Sequence, residues 1–131
     1  MIKNTQFPFY LLLVLLMACT SSSTETANTG VTKDVSPAEF KELMADGNAI
    51  VIDVRTAAEI ANGKIPDAME IDINSPNFDS EIDGLDKEKT YLMYCKGGGR
   101  SAKACNVMKG KGFKKLYNLK GGFMAWEGEG K

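Results

Sequence analysis

The chain contains no histidine. That absence removes Ser-His-Asp and Cys-His catalytic arrangements and the usual histidine-containing metal sites, so any nucleophile must be activated without an imidazole. Cysteine is scarce: the three residues, at positions 19, 95 and 105, are too few and too scattered for a structural zinc site. An excess of charge is missing as well. With 16 basic and 17 acidic residues the net charge is −1, the two signs are interspersed, and nothing basic points to nucleic acid. No apolar run reaches the ~20 residues that a membrane-spanning helix needs. What is present, 44% hydrophobic and 25% charged residues over 131 positions, suits one globular domain with little left over for tails.

The first thirty residues read differently from the rest. Lys3 supplies a positive start, and Phe7 to Ala18 is an apolar run of about a dozen residues, the length of a signal-peptide core. The run ends Leu16-Met17-Ala18-Cys19, which resembles the lipobox of bacterial lipoproteins. The resemblance implies cleavage after residue 18, lipidation of Cys19, and anchoring in the cell envelope on the extracytoplasmic, periplasmic side. The alternatives are an uncleaved membrane anchor, or an ordinary secretory signal in which Cys19 is incidental. Thr20 to Gly30 is small, polar and low in complexity, the composition of a flexible tether. The organisation expected is therefore a signal over 1–18, a lipidated cysteine and tether over 19–30, and one domain over 31–131.

Within that domain the punctuation is regular. Val31 to Val35 suits a short strand. Ser36-Pro37-Ala38-Glu39 is a capping box with proline at the first helical position, and Phe40, Leu43 and Met44 continue at helical spacing until Gly47. Ala49 to Val54 is an unbroken apolar, β-branched run that suits a strand buried on both faces. Thr56 with Glu59 repeats the capping box, and Asn62-Gly63 ends that short helix. Strands are expected at Ala68–Ile73, Thr90–Tyr94 and Lys115–Leu119. Helical segments are expected from Ser75-Pro76 to about Gly84, from Ser101 to about Lys109, and from Phe123 through Trp126. Strands alternating with helices, with apolar central strands, predict an α/β fold: a mainly parallel sheet covered by helices on both faces.

The chemistry concentrates at Tyr94-Cys95-Lys96-Gly97-Gly98-Gly99-Arg100-Ser101. A strand runs directly into a cysteine, three glycines follow, and a helix begins. Ligand sites of open α/β sheets lie at the carboxyl ends of strands. Glycines allow successive amides to turn inward as an anion-binding nest, and the helix N-terminus adds positive potential. Such a setting favours the thiolate, the nucleophilic form of cysteine. Loop amides, the helix start and the charges of Lys96 and Arg100 are the stabilisers available.

Four stretches in order then resemble the rhodanese-like, single-domain sulfurtransferase family over nearly all of residues 31–129. They are Ser36-Pro-Ala-Glu-Phe40; Asp53-Val-Arg55 with Glu59 and Gly63-Lys-Ile-Pro-Asp-Ala68; the Cys95 to Ser101 loop; and Asn118-Leu-Lys-Gly-Gly122 through Trp126. Lys64 stands where the family usually has histidine, and Asp67 where it usually has glycine. The resemblance implies a three-layer rhodanese-like domain and a persulfide mechanism. Cys95 would take a sulfane sulfur from a small sulfur-containing anion such as thiosulfate and pass it to a thiophilic acceptor, a thiol or protein cysteine among them. Lys96, Gly97, Gly98, Gly99 and Arg100 would bind the anion, with Asp53, Arg55 and Ser101 in support. No metal or organic cofactor is called for, and a monomer is expected.

Arg55 is expected to pair with Glu59, tying the loop layer together. Cys105 reads as a buried core thiol, with a resolving cysteine for Cys95 as the alternative; Phe123 and Trp126 read as core. Two other functions are weighed. A cysteine phosphatase or arsenate reductase also uses a cysteine-arginine anion loop, but its loop is one residue longer than the four residues between Cys95 and Arg100. A persulfide carrier or binding module would keep Cys95 yet deliver its sulfur to one partner without turnover.

Overall fold

The computed structural model describes residues 30–129. The signal over 1–18, the Cys19 lipidation site and the tether lie outside the described residues, apart from Gly30. Strand β4 (Thr90–Tyr94) is the middle of a five-stranded sheet. Its neighbours are β2 (Ala49–Asp53) and β5 (Lys115–Leu119); β1 (Val31–Val35) and β3 (Met69–Glu70) form the edges in the order β1-β5-β4-β2-β3. Every pair of neighbouring strands is parallel. The α/β expectation of a mainly parallel sheet is met by one that is parallel throughout.

Alternation along β4 divides the core into two layers, because successive strand side chains point to opposite faces. Tyr91, Met93 and Cys95 face one layer with Ile52 and Val54, under α3 (Phe78–Asp83) and α4 (Gly99–Gly110). Leu92 and Tyr94 face the other with Val51 and Leu119, under α1 (Pro37–Ala45) and α5 (Gly122–Gly128). A strand apolar on both faces is what a sheet with helices on each side requires. Residues such as Phe40, Ile52, Leu92 and Met93 are completely buried, and each fully buried side chain of this kind contributes roughly 1.5–3 kcal/mol.

Both capping boxes form. Ser36 caps α1 and Thr56 caps α2 (Ala57–Ile60), each also donating its own N–H to the carboxylate of the glutamate three residues on. The strand expected over Ala68–Ile73 shrinks to Met69–Glu70 at the sheet edge. Beyond it the chain bends, yet Ile71 and Ile73 still donate their amides to the Asp53 and Val54 carbonyls at 2.9 and 3.1 Å. Helix α4 starts at Gly99, two residues earlier than its composition suggests. Phe123 and Trp126, expected in the core, are half-buried at its rim, where Trp126 meets Phe40 edge-on at 6.0 Å. Among the described residues, no helix is long and apolar enough to cross a membrane.

Candidate active site

Strand β4 delivers Cys95 to the carboxyl edge of the sheet, and Gly98 turns the chain there. Gly98 has φ 103, in the left-handed region, and is the N-cap of α4. A side chain is disfavoured in that conformation, which explains the requirement for glycine. The other two glycines have no such requirement: neither has a positive φ, and a Cβ on Gly97 or Gly99 would meet nothing within 4 Å.

The turn folds the loop back over the sulfur. Cys95 is 1% exposed, and its Sγ accepts hydrogen bonds from the Gly98 amide at 3.1 Å and the Ser101 hydroxyl at 3.3 Å. Burial pushes the thiol pKa up; the Ser101 hydroxyl and the amides of Ser101, Gly98 and Gly97 outweigh it, leaving Cys95 below the ordinary cysteine value. Loop amides and the helix start therefore provide the stabilisation, as the sequence suggests. Ser101, fully buried, provides more of it than its supporting place in that reading implied.

The ion pairs differ from expectation. Arg55 does not pair with Glu59. It forks onto Asp53, with Nη2 donating to Oδ2 at 2.7 Å and Nε to Oδ1 at 3.0 Å, and Nη2 also donates to the Gly63 carbonyl at 2.8 Å. Asp53 is fully buried and Arg55 is 4% exposed, with the guanidinium 4.3 Å from the Phe123 ring centre. The physical reason is reach: the Asp53 carboxylate sits two residues away at the end of β2, already buried, and takes the nearest fork donor.

Glu59 turns instead to the active loop. Arg100 donates from Nη1 and Nη2 to its two carboxylate oxygens at 2.8 and 2.7 Å. These bonds hold the Glu59 carboxyl down at about 2 and raise the Arg100 guanidinium further. Arg100 is thus at the loop, as expected, but anchored rather than free to swing onto a ligand.

Lys96 is exposed and lines a cleft of about 230 Å³ beside the loop, together with Phe123, Met124 and Glu127. A larger cleft of about 450 Å³ is lined by Arg55 together with Glu70, Asp72 and Glu81, three acids to one base. Cys105 is buried in the same core layer as Cys95, where burial pushes its thiol up to about 12. It matches the core-thiol reading. Among the described residues no group of three or more cysteine, aspartate or glutamate side chains is arranged to hold a metal ion.

One component of the site escaped the sequence reading. Gly121-Gly122 looks like a turn, but Gly122 packs directly on the active loop: a Cβ there would lie 2.5 Å from the Lys96 carbonyl oxygen. The next two amides, of Phe123 and Met124, donate to the Cys95 and Lys96 carbonyls at 2.8 and 3.1 Å. The first turn of α5 is a brace for the backbone of Cys95 and Lys96. The glycine pair was visible in the sequence, though not its contact.

Comparison with known proteins gives a consistent result. Residues 36–129 match the Rhodanese-like domain family. The chain is similar to YtwF of Bacillus subtilis (strain 168), 41% identical over 100 residues, 76% of this chain and 94% of the relative. It is similar to a sulfurtransferase of Allochromatium vinosum, 34% identical over 99 residues, 74% of this chain and 90% of that one. The rhodanese-like domain protein of Staphylococcus aureus superposes with a TM-score of 0.65 at 30% identity, over 72% of this chain and 90% of its own. With the parallel sheet, the strand-end cysteine loop and these relatives in agreement, the chain belongs to the rhodanese-like domain family.

Proposed function

We propose that the protein is a sulfurtransferase that carries a sulfane sulfur on Cys95. The observation that carries this reading is the pair of donors on the Cys95 sulfur, the Gly98 amide and the Ser101 hydroxyl, which favour a thiolate at the end of a parallel strand. With thiosulfate as donor, the thiolate attacks the outer sulfur, the sulfur–sulfur bond breaks, and sulfite leaves with the electron pair. Cys95 is left as a persulfide. A thiol or cyanide then attacks the terminal sulfur, and the Cys95 thiolate departs with its electrons restored. Two half-reactions on one covalent intermediate give ping-pong kinetics.

The amides of the Gly97-Gly98-Gly99 loop and the exposed Lys96 receive the anion, while Arg100, held by Glu59, supplies fixed positive charge. Asp53 and Arg55 keep the adjoining strand end rigid. Four residues between Cys95 and Arg100 make a cradle that suits a sulfur rather than a phosphoryl group.

Thiosulfate:cyanide turnover of the wild type and Cys95→Ser tests the assignment. Activity is expected only in the wild type, and equal activity in both would remove Cys95 from the reaction. A wild type that does not turn over but shows a Cys95 persulfide by intact mass would favour a carrier that serves one protein partner.

In the same proposal the unit works as a monomer, lipid-anchored through Cys19 in the cell envelope on the periplasmic side. Metabolic labelling with a fatty acid, lost in Cys19→Ala, is the expected result.

A further inference from the structure

Asn118 is the buried amide of β5, 5% exposed in a strand whose other buried side chains are Leu116 and Leu119. Its Nδ2 donates one hydrogen to Asp34 Oδ1 at 2.9 Å and the other to the Gly98 carbonyl at 3.2 Å. Both partners accept, which fixes the amide orientation, since a flipped amide would set its oxygen against two other acceptors. The consequence is that Asn118 Oδ1 is buried without a hydrogen-bond partner. A protein rarely tolerates such an atom, and its presence calls for a compensating role.

That role lies in the donors around Gly98. Its carbonyl oxygen has two lone pairs, and three donors are within reach: the Ala102 amide at 3.1 Å, the Asn118 amide at 3.2 Å and the Ser101 hydroxyl at 3.2 Å. The Ser101 hydroxyl has a single proton and a second acceptor, Cys95 Sγ, at 3.3 Å. With Ala102 and Asn118 in place the carbonyl is filled, and the hydroxyl proton goes to the sulfur.

We propose that Asn118 is a positioning residue for the nucleophile, occupying the Gly98 carbonyl so that the Ser101 hydroxyl donates to Cys95. It acts through Ser101 and does not touch the sulfur. The inference rests on the reading of Cys95 as the nucleophile, and it explains why a polar side chain is retained beneath the loop. The charged groups around the thiol are Arg100 of α4, paired with Glu59 of α2, and the neighbouring Lys96; Asp34 of β1 lies beyond Asn118. Changing Asn118 to an apolar residue leaves all of these charges in place, though it also takes from Asp34 its amide donor.

The test is the pH dependence of Cys95 alkylation by iodoacetamide in the full chain, followed by peptide mass spectrometry to separate it from Cys19 and Cys105. Asn118→Leu is expected to slow alkylation at pH 7 by ~3- to 10-fold and leave the limiting rate at high pH unchanged, the signature of a raised thiol pKa. In a Ser101→Ala background the same change should have no further effect. Asn118→Val, smaller and a good strand former, serves if leucine does not fit.

An unaltered profile in the folded variants would overturn the proposal, and so would an equal slowing with Ser101 already removed. The reading of Cys95 itself stands or falls on a separate result, the turnover of the wild type against Cys95→Ser. Circular dichroism melts of each variant establish that the fold is kept.

Discussion

Glu59 and Arg100, 41 residues apart in the chain, form a two-pronged ion pair at 2.8 and 2.7 Å that ties α2 to the loop that follows Cys95. Glu59 Oε2 simultaneously accepts from the Thr56 amide and hydroxyl at 3.1 and 3.0 Å. One carboxylate thus closes a helix cap and anchors the arginine of the Cys95 loop.

A pH prediction follows from its titration. The Glu59 carboxyl is held at about 2 in the folded protein, against 4.5 ordinarily. A depressed carboxyl contributes stability that is fully present above about 4.5 and is lost as pH falls through about 2. Glu59→Gln, which keeps the capping partner, should cost about 1 kcal/mol at pH 7, less in high salt because the pair is partly exposed, and almost nothing at pH 2. Urea melts of both proteins across that pH range measure the difference; parallel curves would contradict the role given to the pair.

The two described cysteines should separate cleanly by reactivity. Cys95 has its thiol lowered by three amides and a hydroxyl, whereas Cys105 is raised to about 12 by burial. Alkylation of the native protein at pH 7 is expected to label Cys95 and leave Cys105 unmodified until denaturant is added. Early labelling of Cys105, or a disulfide between the two after mild oxidation, would revive the resolving-cysteine alternative.

Glycine substitutions should sort by geometry rather than by nearness to Cys95. Gly122 has φ 61 and no room for a Cβ beside the Lys96 carbonyl, so Gly122→Ala should displace the loop, cost on the order of 2–3 kcal/mol and lower turnover at least tenfold. Gly97→Ala and Gly99→Ala meet open space at unstrained φ and should fold at least as well as the wild type. Thermal melts alongside turnover distinguish the two classes, and a Gly122→Ala protein with full activity would refute the bracing role of α5.

Removing Asp53 leaves the Arg55 guanidinium buried with the Gly63 carbonyl but no carboxylate to accept from it among the described residues. Asp53→Ala is expected to destabilise the fold by roughly 3–5 kcal/mol, while Asp53→Leu combined with Arg55→Met should recover much of that loss. Chemical denaturation of the three proteins provides the comparison.

The elements of the fold were legible because their signals are local. Two serine/threonine-to-glutamate boxes mark the helix starts, and strands β1, β4 and β5 fall at their expected bounds. The anion loop could be read from Cys95 to Ser101 for the same reason: a strand end, a glycine turn and a helix start need only a few consecutive residues. The charge partners could not be read in this way. Glu59 is expected to cap its helix with Thr56 and to pair with Arg55, but Arg55 turns to the nearer Asp53 and Glu59 bonds Arg100.

Asp67 shows the same boundary. It adopts φ 62 where the family usually has glycine, a left-handed state that aspartate tolerates better than most residues but does not by itself specify. The amino-acid sequence by itself determined the order of strands and helices, the parallel sheet and the place of Cys95 at a strand end, because propensity, capping and hydrophobic period act over one or two turns of chain. Only the tertiary structure decided which charges meet, why Gly122 must lack a side chain and where the Asn118 amide points. Those outcomes depend on distances between segments that are remote in the chain and meet only when both core layers are packed.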